Sequence, residues 1–128
     1  MYKNQNIKFS VMMNCFNGEK YLEEAIKSVL NQTYQNWELI FWDNQSSDNS
    51  AKIFKTFKDK RLKYYLSSVH TGLGQARKNA FQKTKGELIA ILDVDDVWLP
   101  DKLQKQVYCF KDPEVGIVIS NQEKVYTQ

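Results

Sequence analysis

Short apolar runs alternate along this chain with segments whose apolar residues recur at helical spacing. The segment GEKYLEEAIKSVLNQ, for example, places Leu22, Ile26 and Val29 on one helical stripe. Because strands and helices alternate over the whole chain, the pattern predicts an open parallel α/β sheet, a Rossmann-like sandwich with helices on both faces. The predicted strands are residues 9–15, 37–43 and 62–66, the apolar run that opens at residue 87, and residues 116–120.

Helices are expected between these strands, and capping residues suggest where they begin and end. Ser46 or Ser47 can cap the second helix. Gly86 is a typical residue just past the end of the third helix. The apolar faces are expected to contain Ile53, Phe54 and Phe57 in the second helix and Ala76, Ala80 and Phe81 in the third, and the fourth helix is expected over residues 100–110.

Composition narrows the class of protein. The chain has 128 residues, 42% of them hydrophobic and 26% charged, which is typical of one folded domain. The net charge is only +3 and is spread along the chain, which argues against a nucleic-acid-binding protein. Cys15 and Cys109 form no CxxC pair, so we expect two buried thiols in a reduced protein. No apolar run approaches the roughly 20 residues of a membrane span, and MYKNQNIKFS lacks a signal-peptide core.

Polar residues collect where the predicted strands end. The first strand ends in NCFNG, the second in DNQS and the fourth in DVDD, and a parallel sheet brings these ends to one edge, where open α/β sheets bind their ligands. The carboxylates of Asp93, Asp95 and Asp96 would repel one another there unless a cation lay between them. Oxygen ligands of this kind suit Mg²⁺ or Mn²⁺, and such an ion is a natural partner for a diphosphate.

Each of these features also has a simpler interpretation. Aspartates after a strand are common in turns and as N-caps, here ahead of a helix at Pro100. The DNQSSD segment is also typical of a solvated turn, and His70 is expected to be an exposed loop residue. The GLGQAR segment only partly matches a dinucleotide-binding fingerprint, because its sixth position is Arg77 and it follows the third strand. Trp98 is expected in the core or at the mouth of the site.

Taken together, the motifs are similar to a known family. The three segments FSVMMNCFNGEKYLEEAIKSVLNQTYQNWELIFWDNQSSDNS, GLGQARKNAFQKTKGE and AILDVDDVWLPDKLQKQV resemble the successive blocks of the nucleotide-binding half of family 2 glycosyltransferases. Those enzymes have the GT-A fold, and the resemblance covers residues 9–120. A single DxD motif would be a weak signal, but three blocks in the right order and at the right distances are specific.

The resemblance implies a role for individual residues. Asp93-Val94-Asp95 would be the DxD motif, with Asp93 facing the ribose and the metal and Asp95 ligating the Mn²⁺ or Mg²⁺ that bridges the diphosphate of a nucleotide-diphosphate sugar. Arg77 would lie near the nucleotide or diphosphate. An amide at position 44 can accept a hydrogen bond from a uracil N–H, which favours a UDP-sugar. The base and ribose pocket would consist of Asn14, Cys15, Phe16, Asn17 and Asn44.

The same resemblance implies inverting transfer of a sugar to a glycan or lipid-linked acceptor, as in polysaccharide and cell wall biosynthesis. The acceptor-binding half, which supplies the catalytic base, would follow about where this chain stops. We therefore expect residues 1–128 to be a single donor-binding domain of a cytoplasmic enzyme, or of one at the cytoplasmic face of a membrane. The apolar run at residues 116–120 would then be exposed, which predicts a homodimer through that region.

Two other functions remain open from the sequence. A nucleotide-sugar-binding module without transferase activity would have the same motifs. A receiver-like signalling domain also clusters aspartates at strand ends, but it requires carboxylates after the first strand and a lysine after the fifth. Here the corresponding residues are Asn14 and Cys15, and Ser120 and Asn121.

Overall fold

A computed structural model describes residues 6–126 and confirms the parallel α/β architecture. All neighbouring strands are parallel, and they lie in the order β3-β2-β1-β4. The elements are β1 (Phe9–Cys15), α1 (Glu19–Leu30), β2 (Trp37–Asp43), α2 (Ser50–Thr56), β3 (Leu62–Leu66), α3 (Leu73–Phe81), β4 (Leu88–Ile91) and α4 (Lys102–Cys109).

The two central strands are buried on both faces because helices pack against each side of the sheet. Alternate residues of a strand point to opposite faces. On one face, residues of β1 and β2 form a large core with α1, α2 and α4. On the other face, Met12, Ile40 and Trp42 pack against Ala76 and Ala80, whose small side chains let α3 approach the sheet closely.

Strand register brings the polar segments to one edge. Cys15 at the end of β1 is level with Asp43 at the end of β2, so the loops after these strands begin side by side. The segment after β4 reaches the same edge, since β4 pairs with β1 on its other side. At the opposite end of the sheet, Gly86 lets the chain ahead of β4 pass close to the start of β1, because a Cβ there would lie 2.6 Å from the Lys8 carbonyl oxygen.

The predicted fifth strand is wrong. Residues 116–126 have no regular secondary structure, and Ile117 and Ile119 are almost fully exposed. A strand needs a neighbour for its backbone N–H and C=O groups, and the sheet formed by the described residues ends at β3 and β4. The apolar run in this segment therefore does not produce a strand by itself.

Several local expectations are also corrected. The residue preceding α2 is Asn49, not Ser46 or Ser47, and the Ser46 hydroxyl accepts a hydrogen bond from the Asn17 N–H. The third helix ends at Phe81, well before Gly86, and the Phe81 side chain is mostly exposed. Cys109 is exposed rather than buried.

The remaining expectations for single residues hold. Cys15 is buried, Trp98 lies in the core, and His70 is exposed. Over residues 6–126, the helices are all too short or too polar to span a membrane.

Candidate functional site

A cleft of about 490 Å³ opens at the carboxyl edge of the sheet, between the loops that follow β1 and β4 and the helix α3. It brings together six of the residues that the sequence singles out. The lining residues are Asn14, Phe16, Asn17, Gly18, Lys20, Tyr21, Leu73, Arg77, Asp93, Val94 and Asp95.

An acidic cluster lies at one side of this cleft. Asp93, Asp95 and Asp96 are all exposed, and each offers a carboxylate oxygen within 4.8 Å of the others. The Asp96 N–H donates to the Asp93 carbonyl, which closes a tight turn and holds the carboxylates together. Burial, followed by the negative charges of Asp95 and Asp93, raises the pKa of Asp96. This hard oxygen donor set fits Mg²⁺ or Mn²⁺.

Two cations line the cleft, and one of them lies near these carboxylates. Arg77 reaches across from α3, with its Nη2 3.7 Å from Oδ1 of Asp93. Lys20 lies in the first turn of α1, and its Nζ is 5.1 Å from the centre of the Tyr21 ring. The sequence analysis did not single out Lys20, although its place two residues after Gly18 puts it at the same edge of the sheet. A cleft with both signs of charge suits a diphosphate bound together with a metal ion.

An aromatic surface lies at another part of the cleft. Phe16 is 53% exposed, and its ring centre is 4.4 Å from that of His70. The His70 ring is held in turn by a 3.0 Å hydrogen bond between Nδ1 and the Asn44 carbonyl oxygen. The exposed face of Phe16 is therefore a supported platform on which a flat ring can stack.

The loops after β1 and β2 are joined by a dense set of hydrogen bonds. The Asn17 Oδ1 accepts from the N–H groups of Ser47 and Asp48, at 2.7 and 3.3 Å, and the Asn17 N–H donates to Ser46. These bonds accompany a left-handed backbone at Asn17, with φ of 53°. The Asn17 side chain thus fixes the neighbouring loop while the residue lines the cleft.

Two further hydrogen bonds join the start of α1 to the start of α2. The Glu19 N–H donates to Oδ2 of Asp48, and the Asn49 N–H donates to Oε2 of Glu19. Burial raises the pKa of Asp48, but hydrogen bonds from Ser50 and from the Glu19 N–H outweigh it and hold the pKa below its usual range. The first turns of α1 and α2 are consequently tied to each other.

Cys15 and Asn44 do not line the cleft. Burial raises the pKa of the Cys15 thiol, whose Sγ lies 3.7 Å from the Ser46 hydroxyl beneath the loop. Asn44 is 6% exposed, and both ends of its amide bond the Thr71 backbone: Nδ2 donates to the carbonyl at 2.8 Å, and Oδ1 accepts from the N–H at 2.9 Å. The Asn44 side chain therefore holds the loop that leads into α3.

Comparisons with known proteins identify the family. The family model for glycosyl transferase family 2 matches residues 10–128. The chain is 36% identical over 114 residues to UDP-Glc:alpha-D-GlcNAc-diphosphoundecaprenol beta-1,3-glucosyltransferase WfgD of Escherichia coli, covering 89% of this chain and 45% of WfgD. It is 34% identical over 100 residues to the putative teichuronic acid biosynthesis glycosyltransferase TuaG of Bacillus subtilis, covering 77% of this chain and 40% of TuaG. The chain thus spans less than half the length of these curated relatives.

Solved structures show the same fold. The crystal structure of S. aureus TarS 1-349 in complex with UDP matches with a TM-score of 0.78 and 26% identity, covering 83% of this chain and 32% of that one. The mannosyltransferase PcManGT from Pyrobaculum calidifontis, in complex with GDP-Man and Mn²⁺, matches with a TM-score of 0.81 and 24% identity, covering 88% of this chain and 35% of that one. By the family match over residues 10–128, the chain belongs to glycosyl transferase family 2, and its fold is that of the GT-A transferases.

Proposed function

We propose that this chain binds the sugar donor of a metal-dependent glycosyltransferase, which passes a sugar from a UDP-sugar to an acceptor hydroxyl with inversion. The observation that carries the proposal is the acidic cluster of Asp93, Asp95 and Asp96 in a cleft that also presents Arg77. The complex of TarS with UDP and the UDP-Glc named for WfgD support uracil as the base.

In this proposal, different residues of the cleft contact different parts of the donor. We assign Asp95 to the metal and Asp93 to the metal and the ribose, with Arg77 next to the diphosphate and Phe16 stacked on the base. A divalent ion bound by these carboxylates supplies Lewis-acid stabilisation of the departing diphosphate. Arg77 adds a fixed positive charge on the leaving-group side, where negative charge develops in the transition state.

Other predicted residues support these contacts. We propose that Asn17 and Cys15 shape the pocket from the β1–α1 loop, one through its bonds to Ser47 and Asp48 and the other from beneath. The expectation that Asn44 reads the edge of the base stays a prediction. In the structure, both ends of its amide are bonded to the Thr71 backbone.

The acceptor class is a proposal that rests on the relatives. The diphosphoundecaprenol acceptor named for WfgD and the teichuronic acid named for TuaG support a glycan or lipid-linked acceptor. We further propose, from the family resemblance alone, that the enzyme acts in the cytoplasm or at the cytoplasmic face of a membrane. The catalytic base is expected in an acceptor-binding half, and we assign it to none of the described residues.

Metal-dependent binding of UDP tests the proposal. Calorimetric titration of the chain with UDP should show tighter binding with Mn²⁺ or Mg²⁺ than with a chelator. Asp95→Asn should remove this dependence without lowering the thermal unfolding midpoint, because Asp95 is exposed beyond the sheet. Asp112→Asn is the matched control, since Asp112 is an exposed turn residue outside the cleft. Equal affinity for UDP with and without metal in the unmutated chain would contradict the assignment.

A further inference from the structure

The exposed lysines of this chain are less evenly distributed than its small net charge suggests. The helix α2 and the loop that follows it present four exposed lysines, which we call the basic strip: Lys52, Lys55, Lys58 and Lys60. The rest of the chain has 14 Lys and Arg residues against 15 Asp and Glu residues. The basic strip therefore carries the whole positive excess of the chain.

The carboxylates near the basic strip are already engaged by other groups. None of the ion pairs formed among residues 6–126 includes one of the four lysines. Asp59 accepts hydrogen bonds from Nε and Nη2 of Arg61, at 3.0 and 2.8 Å. Glu19 lies in the same shallow depression as Lys52, but its Oε2 accepts a hydrogen bond from the Asn49 N–H. The charges of the basic strip are thus available to a partner from outside the described residues.

Protection of a sheet edge does not account for the basic strip. Lysines on an edge strand often prevent it from pairing with another chain, and β3 is an edge strand of this sheet. The lysine within β3 is Lys63, whose Nζ is bonded to Oε2 of the buried Glu38 at 2.8 Å. Lys52 and Lys55 belong to α2, where a spacing of three residues places them on one side of the helix. A row of unmatched lysines outside the strand favours an anionic partner.

The position of the basic strip leaves the cleft open. The helix α2 begins at the carboxyl edge, where its first turn is tied to that of α1, and the loop after it leads to the start of β3 at the opposite edge. It packs on the face of the sheet opposite to α3. The lysines of the basic strip are not among the residues that line the cleft. A flat surface lying along the basic strip would therefore not cover the donor site.

We propose that the basic strip docks this domain on an anionic lipid surface. A lysine ammonium is a compact point charge that imposes little geometry on its partner, so a row of lysines matches many headgroup phosphates better than one shaped ligand. Each lysine close to an anionic bilayer strengthens binding about fivefold, and four together strengthen it about 600-fold. The inference rests on the membrane location within the proposed function, for which it supplies a surface, and does not depend on donor binding.

Sedimentation with lipid vesicles at low ionic strength tests this docking. The chain should bind vesicles made of equal parts of phosphatidylglycerol and phosphatidylcholine, should not bind phosphatidylcholine alone, and should dissociate as salt is added. Replacing both Lys58 and Lys60 with glutamine should weaken binding about 25-fold, the effect of two lysines. The control replaces Lys78 and Lys111, which are exposed on α3 and after α4, and should weaken binding far less. Both pairs of substitutions should leave the thermal unfolding midpoint unchanged, because the four side chains are exposed and form no ion pair among residues 6–126.

The results decide the docking surface separately from donor binding. Equal binding by the unmutated chain and the variant lacking Lys58 and Lys60 would overturn the proposal, and so would an equal loss in the control. Absence of binding to the anionic vesicles overturns it as well, including when the same lysines bind a DNA duplex or polyglutamate instead. Affinity for UDP with Mn²⁺ should be the same in the variant, and a loss would overturn the separation of the basic strip from the cleft. Failure of the unmutated chain to bind UDP would contradict the proposed donor site and would leave the vesicle result standing.

Discussion

Replacing Asn44 with alanine separates two roles for this residue, reading the base and holding a loop. Its amide is buried and makes two hydrogen bonds with the Thr71 backbone. The loop that Thr71 begins leads directly to Gly72, the N-cap of α3, and so to Leu73 and Arg77 in the cleft. Removing the Asn44 amide can therefore weaken ligand binding through α3, without any direct contact between Asn44 and the ligand.

The structure sets the size of the stability loss that we expect for Asn44→Ala. Alanine leaves the N–H and C=O of Thr71 without their side-chain partner, and each unsatisfied buried group costs about 1–3 kcal/mol. Thr71 is only half-buried, so water can satisfy part of this loss, and we expect Asn44→Ala to lower the free energy of unfolding by about 2 kcal/mol. Denaturant unfolding of the ligand-free chain measures it. Asn79→Ala is the matched control, because Asn79 lies on α3 outside the cleft.

A double-mutant cycle with Arg77→Ala then identifies how UDP affinity is lost. If Asn44 acts by placing Arg77, the Asn44→Ala variant binds UDP more weakly, and that loss shrinks when Arg77 is already alanine. If Asn44 reads the base, the two losses add, and uridine loses as much affinity as UDP. Additive losses combined with unchanged stability of Asn44→Ala would refute the loop-holding role.

Two further predictions concern stability and assembly. Burial raises the pKa of Glu38, but hydrogen bonds from Lys63, Ser10 and the Lys85 N–H outweigh it and bring the pKa to about 2 from 4.5. The contribution of the ionised Glu38 to the free energy of unfolding is therefore complete above pH 4.5 and is lost as the pH falls toward 2. Between pH 6 and pH 3, the unmutated chain should lose about 2 kcal/mol more unfolding free energy than Glu38→Gln. Parallel pH profiles of the two proteins in urea unfolding would disprove this. The exposed Ile117 and Ile119 segment should also make the chain form a two-fold dimer through its C-terminal region, and light scattering that shows only monomer at high concentration would contradict it.

The sequence predicts the central elements well because their signals are local. β1 and β2 are mostly apolar segments buried on both faces, and the structure places both strands over the predicted residues. The alternation of strands with helices is enough to predict the parallel sheet. The sheet in turn brings the strand ends to one edge, and Asp93 and Asp95 lie at that edge.

The incorrect predictions involve contacts between residues far apart in the chain. Ser46 looked like a helix cap because nothing near it in sequence shows that Asn17, 29 residues earlier, donates to its hydroxyl. Asn44 is bonded to Thr71, 27 residues later, which no local pattern reveals, while its predicted role in reading the base stays a prediction. The apolar run around Ile117 indicates a strand, but strand formation depends on whether a neighbour is available to pair with it. Local patterns indicate which residues can form an element, and long-range contacts determine what each side chain does.

The two ends of the sheet show where the fold departs from full satisfaction of its polar groups. At the amino end, the buried Glu38 carboxylate is matched by Lys63 and Ser10, so its charge is neutralised within the fold. At the carboxyl end, the acidic cluster gathers like charges, and the Asn14 amide nitrogen has no partner within residues 6–126. Unpaired buried N–H groups do not distinguish the two ends, because Trp37 at the start of β2 and Asn14 near the end of β1 each have one among residues 6–126. The two ends differ in how their carboxylates are matched. A cation would neutralise the like charges gathered at the carboxyl edge, and this contrast with the Glu38 site supports the metal ion proposed for the acidic cluster.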